Sequence, residues 1–292
     1  MIYLNSVELP SKADENFIFM SSVIPVYYHS LYPFKFFTSK DFQRIEFEHI
    51  TIFAGSNGSG KSTLLNIFAN LLKLSRTSEY NDSAYMSMYV RNCQANFDLK
   101  HNFSQSKIIT SDDVFKSMLQ ERRTQNMIHR KQDNYFEDGI NKRYSEPPRH
   151  IDCSDPESIE QYIEHVDCKH KGGIWKHVMA HAGKDRILHS NGENAIDFFV
   201  NAIEPNGLYL LDEPENSLSP EKQILLKTFL ESMTRFENCQ FIIATHSPFL
   251  MSLNYSKLYD LDENPVKTKK WYELEQVRHY YQFFMDNKQY FV

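Results

Sequence analysis

The residues with the clearest chemical meaning form the segment Gly55–Ser62, whose sequence is GSNGSGKS. This segment matches the phosphate-binding loop pattern G-x-x-x-x-G-K-[ST] at every fixed position. Its glycines let successive backbone N–H groups approach phosphate oxygens, and a helix that follows would direct its positive end to the same place. The segment therefore predicts a site for the phosphates of a nucleotide. The alternative is a glycine turn that matches by chance.

The side chains of this loop have separate expected tasks. Lys61 would supply a positive charge to the β- and γ-phosphates, and the hydroxyl of Ser62 is a suitable ligand for Mg²⁺, which prefers oxygen donors. We expect the backbone of the whole loop to contact the nucleotide. The predicted nucleotide-binding residues are Gly55, Ser56, Asn57, Gly58, Ser59, Gly60, Lys61, Ser62 and Thr63.

Two adjacent carboxylates, Asp212 and Glu213, follow the apolar run Leu208–Leu211. Neighbouring residues of a strand face opposite ways, so the two acids cannot share one task. We expect Asp212 to hold a Mg²⁺ ion and Glu213 to orient or deprotonate an attacking water. The alternative for Glu213 is that it caps a turn. His246 follows a second apolar run, 240–245, although a single histidine after a strand means little without its neighbours.

The elements that would position these residues can be predicted from the hydrophobic pattern. A strand over 46–54 enters the loop, and apolar residues at helical spacing from Leu64 to Leu72 follow it. Further strands are predicted at 208–211 and 240–245, with a helix from about Pro220 to Arg235. Strands that alternate with helices pair in parallel, and open α/β sheets bind ligands at the carboxyl ends of their strands. We therefore predict an α/β fold with a mostly parallel sheet flanked by helices.

The middle of the chain, 75–185, has a weaker periodic pattern and a more polar composition. We predict one domain with a core formed by 1–74 and 186–292, into which 75–185 is inserted as a lobe of short helices and loops. Within it, Lys107–Thr110 is predicted as a strand, followed by a helix that Ser111, Asp112 and Asp113 begin. Basic and acidic residues nearly balance between 121 and 149, so this region is either a nucleic-acid groove or, by default, a solvated face.

Composition limits the class of protein. The chain has 292 residues, 41% of them hydrophobic, and a net charge of −6, which disfavours a surface that binds nucleic acid throughout. No apolar run reaches the roughly 18 residues of a membrane span, and no export signal can be recognised. We expect a cytosolic, cytoplasmic protein with no membrane contact and with reduced cysteines.

Metal-binding residue types also occur in the middle of the chain. Four of them could in principle gather around a zinc ion, although their spacing fits no standard zinc motif. His177 and His181 could share a helix face, with a packed or solvated pair as the simpler interpretation. The four candidate zinc ligands are Cys153, His165, Cys168 and His170.

Taken together, these motifs resemble those of the ABC type of P-loop NTPase, in particular its soluble RecF-, SMC- and OLD-like branch and short stand-alone bacterial AAA-family ATPases. The resemblance lies in Gly55–Ser62 (Walker A), Leu208–Glu213 (Walker B), Pro214–Pro220 (D-loop) and Ala244–Pro248 (switch histidine). It covers roughly 1–74 and 186–292, and it implies that the loop binds ATP with Mg²⁺ and that His246 senses or stabilises the γ-phosphate.

The resemblance also implies a second contact to ATP. Ser190, Gly192 and Glu193 correspond to the signature motif, which in this family contacts the γ-phosphate held by another subunit, so a homodimer with ATP at its interface is expected. Three positions depart from the transporter pattern. Asn191 and Glu193 replace a glycine and a glutamine, and Ser219 stands in place of the D-loop aspartate. The Q-loop glutamine has no unambiguous match, and its candidates are Gln94, Gln105 and the segment Ser111-Asp112.

We therefore expect a Mg²⁺-dependent ATPase that dimerises around ATP and acts as a switch. It would control a separate effector protein in phage defence or act on DNA in repair and maintenance. Two alternatives remain open at this point: a nucleotide-binding subunit of an ABC transporter, and a regulator that binds ATP without hydrolysing it.

Overall fold

The computed structural model describes residues 2–21, 31–80, 82–97, 105–146, 155–170, 172–182, 191–216 and 218–291. Within these ranges the strands are β1 Leu4–Glu8, β2 Arg44–Glu46, β3 Ile50–Ala54, β4 Gln94–Phe97, β5 Lys107–Thr110, β6 Leu208–Asp212, β7 Gln240–Ala244, β8 Ser256–Asp260 and β9 Lys267–Thr268. The helices are α1 Lys12–Ser21, α2 Lys61–Leu71, α3 Met86–Arg91, α4 Ser111–Tyr144, α5 Pro156–Lys169, α6 Gly173–Ala182, α7 Asn191–Ala202, α8 Pro220–Phe236, α9 Pro248–Met251 and α10 Glu275–Asp286.

A six-stranded sheet forms the centre of the fold, in the order β5-β6-β7-β3-β8-β9. Its first five strands pair in parallel, and the short β9 pairs antiparallel with β8 at the edge. In β3, Ile52 lies opposite Ile243 on one side and Leu258 on the other. All residues of β3 and β7 are buried, as expected for parallel strands that are covered on both faces. The predicted α/β fold with a mostly parallel sheet is confirmed.

The helix α2 packs on this sheet through the apolar face that its sequence predicts. Leu64 and Phe68 are fully buried, and the ring of Phe68 lies 5.9 Å from that of Phe53 in β3. On β8, Tyr259 stacks on Phe53 at 5.6 Å. Large apolar side chains therefore fix the strand before the phosphate loop and the helix after it.

A second sheet of three antiparallel strands, β2-β1-β4, was not predicted. It is joined to the central sheet by Gln240, the first residue of β7, whose side chain is fully buried. Its Oε1 accepts hydrogen bonds from the backbone N–H groups of Tyr3 and Leu4, at 2.8 and 2.9 Å. Its Nε2 donates to the carbonyl oxygens of Leu4 and Glu48, at 2.9 and 3.0 Å.

The chain divides into two compact units, one formed by Met1–Phe115 and Asn191–Val292 and the other by Lys116–Ser190. The inserted lobe was predicted to begin at residue 75, whereas the second unit begins at Lys116. Residues 75–115, which include α3, β4 and β5, lie in the first unit. The described part of the second unit is helical, and α4 has 34 residues where short helices and loops were expected. Among the described helices, none combines the length and the apolar character needed to cross a membrane.

Candidate nucleotide-binding site

The phosphate loop connects the buried end of β3 to the first turn of α2. Gly58 and Gly60 have φ values of 80° and 101°, in the left-handed region that favours glycine. A Cβ atom at Gly60 would also lie 2.5 Å from the ring of Phe36. Gly60 precedes α2 and has no side chain to cap it, so the amide groups of the first helical turn are available to an anion. The predicted strand, loop and helix arrangement is thus present.

Lys61 lies along the inside of this loop rather than extending into solvent. Its Nζ donates to the carbonyl oxygens of Gly55 and Ser56, at 3.0 and 3.1 Å, and lies 2.7 Å from Nε2 of His246. Burial lowers the pKa of Lys61, and the nearby carboxylates, Glu213 first among them, act in the opposite direction. The structure thus brings Lys61 and His246 into contact although 185 residues separate them in sequence.

The two expected magnesium ligands lie next to each other. The hydroxyl of Ser62 donates to Oδ1 of Asp212 at 3.0 Å. Burial raises the pKa of Asp212 to about 6, the charge of Glu213 adds to this effect, and the hydrogen bond from Ser62 opposes it. A carboxylate that is costly to ionise beside a hydroxyl oxygen suits a hard divalent cation, so these residues fit Mg²⁺.

Glu213 directly follows the last residue of β6, Asp212. Its φ is 49°, an uncommon value for a residue other than glycine, and its N–H donates to the carbonyl oxygen of Ala244 at 2.8 Å. Its Oε1 lies 3.5 Å from Nε2 of His246, and its Oε2 accepts from Asn216 at 3.0 Å. Glu213 therefore shares a site with His246 instead of only capping a turn.

The loop that carries His246 is held in place by Glu215, to which the sequence assigned no task. One carboxylate oxygen, Oε1, accepts from the backbone N–H groups of His246 and Ser247, at 2.6 and 3.1 Å. Burial raises the pKa of Glu215. Burial also lowers the pKa of His246, and the charge of Lys61 adds to that effect, so the neutral imidazole is favoured. In the sequence, the only indication of a role for Glu215 was its position two residues after the Asp212-Glu213 pair.

Asp262 is a second residue that the sequence analysis missed. It follows β8, and its carboxylate accepts from both the N–H and the hydroxyl of Ser56, each at 2.7 Å. Nearby, Nζ of Lys40 donates to the carbonyl oxygens of Ser59 and Leu261, at 3.2 and 2.6 Å. Both contacts hold the phosphate loop from outside. The signal for Asp262 was its place after a strand, on the edge where the other acids lie.

A cleft of about 730 Å³ opens beside Ser62 and Asp212. Tyr32 lies at its rim, and its hydroxyl forms a hydrogen bond with the hydroxyl of Thr63. The residues that line this cleft are Tyr32, Ser62, Thr63, Asn66, Glu79, Tyr80, Asp82, Ser83, Thr110, Ser111, Asp112 and Asp212.

The aromatic segment before the phosphate loop belongs mainly to the core. Phe34 and Phe37 are buried, and the ring of Phe34 lies 5.1 Å from that of Tyr89. A hydrophobic cluster is therefore present over the described part of this segment, which begins at residue 31.

The three Q-loop candidates lie in different places. Gln94 is in β4, paired with Glu8 of the antiparallel sheet, and Gln105 is exposed before β5. Of these candidates, only Ser111 and Asp112 line the cleft that also contains Ser62. The geometry therefore favours Ser111-Asp112 as the segment that faces the predicted magnesium site.

The signature residues are only partly covered by the structure. Ser190 lies outside the described residues. Gly192 and Glu193 fall in the first turn of α7, which begins at Asn191. In the D-loop, Ser219 precedes α8 without a side-chain capping bond. The role of these residues toward a second subunit stays a prediction.

The predicted zinc ligands are likewise only partly covered. Cys153 lies outside the described residues, His165 is buried with its Nε2 3.3 Å from the carbonyl oxygen of Ser145, and Cys168 is buried. Within the described part of the chain, the ligand atoms that do converge belong to Glu164, His177 and His181.

Two family models match the chain. Residues 32–87, which contain the phosphate loop, match the model described as "P-loop containing region of AAA domain". Residues 177–252, which contain Asp212, Glu213 and His246, match the model described as "AAA domain, putative AbiEii toxin, Type IV TA system". The two matched segments therefore contain the main residues that converge in the structure.

Solved structures with similar folds include the SMC head domain from Thermotoga maritima, at 14% identity and a TM-score of 0.35, covering 74% of this chain and 88% of that one. Another is an ATP-binding cassette in a dimeric post-hydrolysis state bound to ADP and Pi, at 16% identity and a TM-score of 0.34, covering 78% and 88%. No curated protein matches the chain.

Proposed function

We propose that this protein is a P-loop ATPase of the ABC type, related to AAA-family proteins, which binds ATP with Mg²⁺ and hydrolyses it. The observation that carries the proposal is the convergence of five side chains from three separate parts of the sequence. The hydroxyl of Ser62 bonds to Asp212, while Lys61, Glu213 and His246 form a second group beside it.

The residues divide the chemistry between them. Lys61 and the amide groups of the loop hold the phosphates, and Ser62 with Asp212 holds Mg²⁺, which neutralises developing charge on the phosphate oxygens. Glu213 orients and deprotonates the attacking water. His246 presents a nitrogen within 3.5 Å of that carboxylate and contacts the γ-phosphate side of the site.

The first test compares phosphate release with nucleotide binding. Wild-type protein releases phosphate from ATP only when Mg²⁺ is present, and Lys61→Ala loses both phosphate release and the binding of a fluorescent ATP analogue. Lys12→Ala, an exposed lysine at the start of α1, serves as the matched control and keeps both. Wild-type protein that binds the analogue but releases no phosphate would instead be a regulator that does not hydrolyse ATP.

We further propose that two copies of the chain close head to tail around ATP. The signature segment leads into α7, whose first turn contains Gly192, and the N-terminal turn of a helix is suited to bind an anion. In such a dimer, Ser190, Gly192 and Glu193 of one subunit contact the γ-phosphate bound by Lys61 of the other. ATP links the subunits, and hydrolysis removes the link.

The dimer is proposed to act as a cytoplasmic switch for a separate effector protein. One matched family model carries the description "putative AbiEii toxin, Type IV TA system". We therefore place a role in defence before a role in DNA repair in this proposal. The test is purification of the Glu213→Gln form with ATP from its host, followed by identification of bound proteins and nucleic acids. A defined protein that is retained with ATP and lost without it supports the effector. Recovery of DNA alone assigns the protein to DNA maintenance.

A further inference from the structure

A cluster of metal-ligating groups lies in the helical unit, apart from the residues assigned to ATP. His177 and His181 are four residues apart on α6 and face the same side, where Glu164 of α5 meets them. One ligand atom from each of the three residues lies within 4.8 Å of the other two. The turn between α5 and α6 is tight, because a Cβ atom at Gly173 would overlap the carbonyl oxygen of Asp167.

His177 presents a nitrogen without a hydrogen-bond partner. Its Nε2 lies 2.9 Å from Oδ2 of Asp138, so this nitrogen carries the hydrogen and donates it. The other nitrogen, Nδ1, is buried and makes no hydrogen bond to any described residue. It lies 3.9 Å from Oε2 of Glu164, and the side chain of His177 is only 4% exposed.

In His181, as in His177, one ring nitrogen donates a hydrogen bond and the other faces Glu164, but here Nδ1 is the donor. Its Nδ1 lies 2.9 Å from the carbonyl oxygen of His177 and donates to it. In the unprotonated ring that a metal ion requires, Nε2 presents a lone pair 3.0 Å from Oε1 of Glu164. A cation between these two atoms, either a proton or a metal ion, removes the repulsion of their lone pairs. The ring of His181 is held by Tyr135, which stacks on it at 5.0 Å.

The one ammonium group beside the cluster in the described structure does not reach these lone pairs. Nζ of Lys142 bonds to Oε2 of Glu164 at 2.7 Å and to Oδ2 of Asp138 at 2.9 Å. Oε1 of Glu164 faces His181 instead. Two carboxylates and one ammonium leave one negative charge, so a divalent cation is electrostatically favourable here.

From this convergence we infer that Glu164, His177 and His181 form a binding site for a zinc-class divalent metal ion. A tetrahedral zinc ion with bonds of about 2.0–2.1 Å keeps its ligand atoms roughly 3.3 Å apart. Nε2 of His181 lies 3.0 Å from Oε1 of Glu164, whereas Nδ1 of His177 lies 3.9 Å from the other carboxylate oxygen, Oε2. Since one ligand atom from each residue lies within 4.8 Å of the other two, side-chain rotation is enough to close the site around an ion. Imidazole nitrogens favour zinc over magnesium or calcium, which prefer oxygen ligands.

The surroundings of the site match those of known metal sites. Asp138 accepts the hydrogen of the other nitrogen of His177, as carboxylates do for metal-bound histidines. His181 is 35% exposed, so solvent can supply the fourth ligand. A bound ion would join α5 to α6 and, through Asp138, stabilise their contact with α4 in this unit.

The test uses the full chain without nucleotide, stripped of metal by a chelator and dialysed against Zn²⁺ alone. Wild-type protein binds one Zn²⁺ at this site, and binding raises its melting temperature. His181→Ala and Glu164→Gln each weaken the affinity at least about tenfold, and Asp138→Asn weakens it roughly 10- to 100-fold. His279→Ala is the control, because His279 also faces a glutamate four residues away but is 76% exposed on α10.

Co²⁺ provides a second readout that distinguishes this site from one that uses cysteine. The bound cobalt spectrum lacks a thiolate charge-transfer band, and Cys168→Ser leaves the Zn²⁺ affinity unchanged. Wild-type protein that binds no Zn²⁺, or binding that survives both His181→Ala and Glu164→Gln, would overturn the assignment. Since His181 and Glu164 are partly exposed, circular dichroism of these variants verifies that they fold.

Discussion

Glu213 is the residue on which hydrolysis depends most directly. Replacement by glutamine removes the base but keeps the side-chain size and the hydrogen bond to Asn216. We expect Glu213→Gln to slow phosphate release by about two to four orders of magnitude while ATP binding is preserved. Steady-state phosphate release and equilibrium binding of a fluorescent ATP analogue measure the two effects. Glu275→Gln on α10 is the control, and turnover equal to that of this control would exclude Glu213 as the base.

Asp212 predicts a pH dependence for magnesium binding. The pKa of this carboxyl is about 6 in the nucleotide-free protein because of burial, so a proton competes with Mg²⁺ below that pH. Apparent Mg²⁺ affinity is expected to be constant above about pH 7 and to fall about tenfold for each pH unit below 6. Titration of Mg²⁺ with a bound fluorescent nucleotide between pH 5 and 8 measures it.

A control variant separates the titration of Asp212 from that of the nucleotide. The Asp212→Asn variant corrects for titration of the nucleotide itself, and only the difference from wild type reports on Asp212. An identical pH profile in the two proteins would contradict the assignment of Asp212 as the ligand.

The same pKa shift affects folding in the opposite sense. A raised carboxyl pKa stabilises the nucleotide-free fold at low pH, and that contribution is lost as pH rises through about 6.

At the scale of single residues, the sequence predicted the groups that belong to continuous motifs. Lys61, Ser62, Asp212, Glu213 and His246 are recognisable because a short pattern specifies each of them, and the structure brings them together. The supporting residues had no such pattern. Asp262 reaches Ser56 across 206 positions, and a contact of this kind depends on the order of strands in the sheet.

Among the elements, the antiparallel sheet is tied to the central sheet by a buried side-chain amide, that of Gln240. All four hydrogen bonds of the Gln240 side chain go to backbone groups. Gln240→Leu would leave several of these groups unpaired at nearly constant volume, so we expect the free energy of unfolding to fall by about 2–4 kcal/mol. Chemical denaturation measures the change. Gln282→Leu, on the exposed surface of α10, is expected to change it by less than about 0.5 kcal/mol, and equal losses in both variants would argue against the role of Gln240.

The prediction of elements succeeded where hydrophobic periodicity was strong. Strands β6 and β7 and helix α8 were placed within about two residues, because apolar runs and a helical stripe define them. The start of helix α4 at Ser111 was predicted, but its length was not, because its later turns are polar and were interpreted as loops and short helices. The antiparallel sheet was missed because β2 and β4 have only three and four residues.

For the whole chain, the order of the phosphate loop, the Asp-Glu strand and the histidine strand predicted the fold. It did not predict the boundary of the inserted region. Residues 75–115 lack a strong pattern, yet β5 among them forms the edge of the central sheet beside β6. Because β5 pairs with β6, the strand that ends in Asp212, it belongs to the core whatever its composition. Pairing between strands about 100 residues apart cannot be inferred from periodicity alone. The helical unit that remains, Lys116–Ser190, contains the proposed zinc site.

The assembly itself is tested by trapping ATP before hydrolysis. With ATP and Mg²⁺, Glu213→Gln is expected to form a dimer with twice the chain mass of 34.5 kDa, because neither subunit can remove the γ-phosphate that links them. Light scattering coupled to size exclusion measures this mass, and ADP should return the protein to the monomer. Adding Lys61→Ala, which weakens phosphate binding, or Ser190→Arg, which blocks the contact from the second subunit, should abolish the dimer in each case. A monomeric Glu213→Gln form with saturating ATP would contradict the head-to-tail arrangement while leaving ATP hydrolysis by a single subunit intact.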